Sequence, residues 1–228
     1  MNKEEWIRLS QIRSSMYRFL GGIYLMEVDE EQMEALKNIS FPCITGDEDS
    51  DMDLREGYGL LKKYITDMSA DDLDDLAADY AKVFLAAGDA AGRAAFPYES
   101  VYVDRKHTVG GSAAMKMKAL FLERGFEPDP GVYRTMDDNI GLILEYMSII
   151  CDEITQAADR DDADRVSSLL KEQKVFMKRH IVNWIYSFTS DIFKFSERDF
   201  YKGIARITNG FIKKETAFLE GGILWDIV

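Results

Sequence analysis

Apolar residues recur every three to four positions along most of the chain, the spacing that stacks them on one face of a helix. In residues 4–26 this pattern runs through Trp6, Leu9, Ile12 or Arg13, Met16, Phe19, Leu20, Ile23 and Tyr24, and predicts an amphipathic first helix weakened at its far end by Gly21-Gly22. A short helix is predicted over 30–38, after which Phe41-Pro42 and the acidic run 46–53 read as a solvated loop. A third helix is predicted over 54–67. Ser69-Ala70-Asp71-Asp72 then reads as a capping box with Asp at its fourth position, opening a fourth helix to about Leu85. On that helix Leu73, Leu76, Ala77, Tyr80 and Phe84 share a face, and Asp71, Asp72, Asp74 and Asp75 crowd the first turns, where the helix dipole favours negative charge.

The pattern breaks at Ala86-Ala87-Gly88-Asp89-Ala90-Ala91-Gly92, a run too small to pack much, and at the aromatic stretch Phe96-Pro97-Tyr98-Glu99-Ser100-Val101-Tyr102. Pro97 fixes its own φ and pushes Phe96 toward extended geometry, so an ordered loop is expected there. Its rings fit either a loop pinned to the core or one wall of a binding surface. If part of the stretch faces the core, Val101 is the first candidate, and residues 101–104 could be extended.

A helix is next predicted from Gly110-Gly111-Ser112 to Arg124, closed by Gly125, followed by a rigid link over 126–131. Thr135-Met136-Asp137-Asp138 resembles a second capping box and opens a helix that is apolar on most faces, from Ile140 toward Ala158, which should be central. Asp137, Asp138 and Asn139 supply more polar groups at its start than one cap needs. A long helix is predicted over 161–193, with Phe176, His180, Trp184 and Phe188 on one oblique ridge and His180 bonded to a neighbour in the core. A last helix runs to about Leu219, and the apolar tail 223–228 is expected to dock on the body. The fold class is therefore all-α, a single globular domain over 1–228 of about eight or nine helices.

Composition narrows the function. The longest apolar runs are interrupted by charge well short of a membrane span, and the acidic start Asn2-Lys3-Glu4-Glu5 is unlike a secretory or transit peptide, so a cytoplasmic protein is expected. Two cysteines, Cys43 and Cys151, argue against a disulfide scaffold or a cysteine zinc site. A net charge of -13 disfavours nucleic acid and anionic membranes and favours a basic partner. His107 and His180 are too few for a multi-histidine metal site, and neither a phosphate-binding loop nor a nucleophile motif occurs. No catalytic residue, metal or cofactor of its own is expected. What is left is aromatics beside carboxylates, which suits recognition of a peptide with apolar and cationic parts.

Three stretches resemble the TorD/DmsD group of cytoplasmic chaperones for molybdenum-dependent reductases, the redox enzyme maturation proteins, which are related to nitrate reductase delta subunits. Tyr80-x-x-x-Phe84 followed by Phe96-Pro97-Tyr98-Glu99-Ser100-Val101-Tyr102 is similar to the family's aromatic helix and Pro-aromatic-x-Ser-Val-aromatic loop. Glu127-Pro128 with Asp138-Asn139-Ile140-Gly141-Leu142 is similar to its Glu-Pro and Asp-His-Ile region, and Phe176, His180, Trp184 and Phe188 to its late helix. Where the family has Asp-His, this chain has Asp138-Asn139, which keeps hydrogen-bonding capacity but loses the imidazole.

The resemblance implies a TorD-like helical chaperone that binds the twin-arginine signal peptide or N-terminus of a molybdopterin-containing reductase in its apo form and holds it until cofactor insertion and folding are complete. The peptide-binding residues it points to are Tyr80, Phe84, Phe96, Pro97, Tyr98, Glu99, Ser100, Tyr102, Asp138 and Asn139, with Asp138 and Glu99 meeting the arginines. Monomer and homodimer are both compatible with it. The runner-up is a delta-subunit-like assembly factor for a reductase subunit without an export signal. An enzyme, a nucleotide- or metal-dependent hydrolase using Asp137, Asp138 and Glu145, has the weakest support, and a purely structural adaptor is the remaining class.

Overall fold

The computed structural model describes residues 1–39, 46, 48–69, 72–88, 94–128 and 135–221. The Phe41-Pro42 loop with Cys43, Asp71 of the first capping box, residues 89–92 of the small-residue run, Pro130-Gly131 of the link and the tail 223–228 lie outside the described residues. Among the described residues the regular structure is helical: α1 (Lys3–Leu25), α2 (Glu30–Lys37), α3 (Asp49–Asp67), α4 (Asp72–Leu85), α5 (Glu99–Val103), α6 (Ser112–Arg124), α7 (Ile140–Asp159), α8 (Ala163–His180), α9 (Ile185–Phe195) and α10 (Asp199–Leu219). The all-α class expected from the periodicity is the one observed. The helices form two compact units, one from Met1–Leu25, Tyr98–Trp184 and the chain from Glu215, the other from Met26–Pro97 and Ile185–Lys214.

The first unit is built on α7, whose Ile140, Leu142, Ile143, Leu144, Met147, Ile150 and Ile154 are all buried. Helix α1 runs against it with backbone close to backbone. A Cβ on Gly141 would lie 2.3 Å from Leu25 Cγ and 2.7 Å from the Gly21 carbonyl oxygen, so only glycine permits this approach. The buried face of α1 passes through Leu9, Arg13, Tyr17, Leu20 and Tyr24, whereas Ile12 is 36% exposed. The choice left open between Ile12 and Arg13 thus falls on the charged residue. Arg13 bonds Gln173 Oε1 at 2.7 Å and Glu215, and the Tyr17 hydroxyl donates to Glu215 Oε2 at 2.6 Å.

In the second unit, Leu76, Tyr80, Val83 and Phe84 of α4 are buried, as are Phe188, Phe200, Tyr201 and Ile204, and the Tyr80 and Phe84 rings meet Tyr201 while Phe84 also meets Phe188 at 6.1 Å. Asp79 accepts from Ser196 Oγ at 2.7 Å and from the backbone N–H of Glu197 and Arg198, which closes the α9–α10 turn. Near α4, the carboxylate of Asp72 accepts from the Ser69 N–H and hydroxyl, one half of a capping box. The acidic run departs from expectation: helix α3 already begins at Asp49, and Asp51 and Asp53 are buried. Lys214 reaches Asp51 at 2.7 Å, and Arg206 and Lys213 reach Asp53 at 2.8 and 2.6 Å. Cations of α10 neutralise what sequence alone reads as a solvated loop.

Two further expectations are corrected. Residues 101–103 are not extended, because residues 99–103 close one helical turn, and only Asp104, with φ of -80° and ψ of 145°, has the extended backbone expected of the run. The helix expected over 161–193 is two, separated by a turn at 181–184. The indole N–H of Trp184 donates to the His180 carbonyl at 2.7 Å, the acceptor that its own backbone N–H would use in a continuing helix, and that N–H turns to Ile181 O at 3.2 Å. Phe176 and His180 therefore lie on α8, Trp184 in the turn and Phe188 on α9, not on one ridge. The end of α6 at Gly125, with φ of 70°, is as expected.

Candidate functional site

The chain passes from the second unit back to the first between Pro97 and Tyr98. Tyr98 is extended, with φ of -128° and ψ of 128°, and forms an isolated antiparallel bridge with Asn139. The next residue's N–H donates to the Asp138 carbonyl at 3.0 Å, and the Ser100 N–H donates to Asp138 Oδ2 at 2.8 Å. One aspartate thus accepts the first N–H groups of α5, which would otherwise lack partners. Asn139 is the N-cap of α7, its Oδ1 accepting from the Gly141 N–H at 2.8 Å. Its Nδ2 donates to Thr135 Oγ1 at 3.1 Å, and the Tyr98 hydroxyl lies 3.1 Å from the same oxygen. The structure therefore joins Tyr98, Glu99, Ser100, Asp138 and Asn139 into one knot. The helix start expected at Thr135 lies one turn later, at Asn139.

Two carboxylates are enclosed in this knot. Asp138 is completely buried, and neither its Oδ1 nor Ser100 Oγ has a hydrogen-bond partner among the described residues. Burial pushes the Asp138 pKa up, against the hydrogen bond from the Ser100 N–H. Glu99 is 4% exposed, and burial raises its pKa against the hydrogen bond and charge of His180, whose Nδ1 lies 3.1 and 3.3 Å from the two oxygens. The neighbour expected for His180 is thus Glu99, a pairing no sequence pattern displays.

The rings divide by exposure. Tyr98, Val101 and Tyr102 are half-buried, so the core-facing residues among 98–102 are Glu99 and Ser100 and not Val101. Tyr102 stacks on Trp184, with centroids 5.4 Å apart and planes 23° from parallel. Tyr80, Phe84, Phe96 and Pro97 belong to the second unit. There Tyr80 and Phe84 are buried, 5.0 Å apart, and Phe84 meets Tyr201 at 5.3 Å edge to face. Pro97 is buried and Phe96 half-buried. Thr135, bonded to Tyr98 and Asn139, and Trp184, stacked on Tyr102, are the neighbours of the site that the set of expected binding residues leaves out. Trp184 carried an aromatic signal, and Thr135 was read only as the start of a helix.

Among the described residues, no group of three or more His, Cys, Asp or Glu side chains is placed to hold a metal ion, and no helix is long and apolar enough to cross a membrane. Cys151 is a buried free thiol, and burial pushes its pKa up to about 11.

Residues 47–190 match the nitrate reductase delta subunit family. Chaperone protein TorD of Shewanella pealeana is 23% identical over 219 residues, which cover 93% of this chain and 91% of that protein. Chaperone protein TorD of Vibrio cholerae is 23% identical over 214 residues, 93% of this chain and 94% of its own, and that of Vibrio vulnificus 21% over 212, 92% and 95%. The match to the family model covers most of the chain, the TorD proteins align along nearly its whole length, and the fold is the all-α one these relatives imply: the chain belongs to the nitrate reductase delta subunit family, that of the TorD chaperones.

Proposed function

We propose that this chain is a cytoplasmic chaperone that binds the N-terminal segment of a molybdenum-dependent reductase, a twin-arginine signal peptide where the partner carries one, and retains it until the molybdopterin cofactor is in place and the reductase has folded. The observation that carries the reading is the knot of Tyr98, Glu99, Ser100, Asp138 and Asn139, in which a helix start fixes an aromatic loop whose rings keep part of their surface in solvent. The tyrosine rings suit the apolar part of a signal peptide and can take an arginine plane on their faces. With a net charge of -13, the chain attracts a cationic segment.

The carboxylates take different parts in this reading. Asp138 acts on the peptide through the loop, whose first turn it holds by the Ser100 N–H. Glu99 meets an arginine by exchanging His180 for the guanidinium, a better bidentate partner. The chain performs no bond chemistry of its own and holds no cofactor. A second reading, a delta-subunit-like assembly factor for a reductase subunit without an export signal, is supported by the match of residues 47–190 to the nitrate reductase delta subunit family. Affinity purification of the tagged chain from native cytoplasm, followed by mass spectrometry, tests the proposal. Recovery of a molybdenum-dependent reductase with its signal peptide intact supports it, recovery of a reductase subunit with no such peptide moves the assignment to the second reading, and recovery of neither contradicts both.

A further inference from the structure

We infer that the groove between α6 and α8 is a second docking site, built for a partner segment in which apolar side chains stand beside carboxylates. The groove encloses about 570 Å³, within the range of ligand-binding clefts. Its floor is aromatic: Tyr146 and Phe176 are both buried, with ring centroids 4.8 Å apart. Its walls include Leu120 and Val175, the latter 49% exposed although it sits on an otherwise ordered helix.

The charges around this floor are not balanced. Arg124 is spent, bonding Glu172 at 2.8 Å and Glu153 at 2.7 Å, and Glu172 also accepts the Tyr146 hydroxyl at 2.8 Å. Lys171 and Arg179 line the groove, are exposed, and make no ion pair with any described residue. Against them stands Glu123, and His180 at the end of the groove already has Nδ1 on Glu99. In a chain of net charge -13, an apolar groove bordered by two cations with no ion pair among the described residues is a local reversal of sign. It is the wrong sign for an arginine pair and the right one for carboxylates, so its occupant differs from the segment proposed above.

Fluorescence polarisation with a labelled peptide alternating Leu and Phe with Glu and Asp, and with a twin carrying Lys at every acidic position, tests the inference. The acidic peptide should bind saturably with Kd below about 1 mM, and its twin at least about tenfold more weakly. The double variant Lys171→Glu/Arg179→Glu, at two exposed positions and with an unchanged melting temperature, should lose about tenfold or more for the acidic peptide and gain preference for the twin. Equal binding of the two peptides, an unchanged affinity in the double variant, or no saturable binding would each overturn the proposal. None of these outcomes bears on binding of a twin-arginine peptide.

Discussion

The guanidinium of Arg13 donates two hydrogen bonds, of 2.7 and 2.8 Å, to the carboxylate of Glu215, and both side chains are completely buried. The pair ties the last turn of α10 to α1, with the Phe218 ring 4.6 Å from the guanidinium carbon. Breaking a buried pair from one side strands the other charge. Arg13→Met should therefore cost about 3–5 kcal/mol in urea denaturation, whereas Arg13→Met/Glu215→Leu should recover most of the loss. A single substitution costing less than about 1 kcal/mol would show that the charge is not enclosed.

Helix propensity and packing make opposite demands on the glycines of α1 and α7. Alanine in a helix interior normally gains up to about 1 kcal/mol over glycine. Nothing lies within 4 Å of a Cβ on Gly22, so Gly22→Ala should be neutral or stabilising. At Gly141 the new methyl would lie 2.3 Å from Leu25 Cγ and 2.7 Å from a backbone oxygen, and Gly141→Ala should lose about 1–3 kcal/mol as the helices part. Thermal melts of the two variants measure the contrast, and equal effects would contradict the close approach.

Asp138 gives the fold a pH signature. Burial raises its folded-state pKa against the bond from the Ser100 N–H, so the folded chain holds this proton more tightly than the unfolded one. The resulting contribution to stability is fully present below the ordinary carboxylate range and is lost as pH rises through the folded pKa, above which it stays constant. Asn cannot ionise. The melting temperature of the wild type minus that of Asp138→Asn should therefore fall as pH rises from about 4 and level off once the pH has passed the folded-state pKa. A difference independent of pH would mean that Asp138 is solvated.

Helix α7 was legible because twenty consecutive residues keep apolar groups on most faces, and the end of α6 because Gly125 adopts the left-handed geometry that glycine tolerates. What stayed hidden depends on partners far along the chain. The choice between Ile12 and Arg13 for the buried face stays open until Glu215 is placed against Arg13, and Asp51 and Asp53 read as loop until Lys214, Arg206 and Lys213 arrive from α10. The break after His180 turns on one indole bond to a backbone carbonyl, which no periodicity encodes. At the site, the resemblance named the residues, while the burial of Asp138 and the pairing of Glu99 with His180 required the loop to be folded against the start of α7.

The central claim, that the loop of Tyr98 to Tyr102 is the peptide-binding surface, is tested most directly by isothermal titration of the purified chain with the partner reductase's N-terminal peptide. Wild type should bind it, Tyr98→Ala should bind about tenfold or more weakly with its melting temperature maintained, and replacing Arg-Arg by Lys-Lys in the peptide should weaken binding to the wild type. Equal affinity of wild type and Tyr98→Ala for the native peptide would contradict the account.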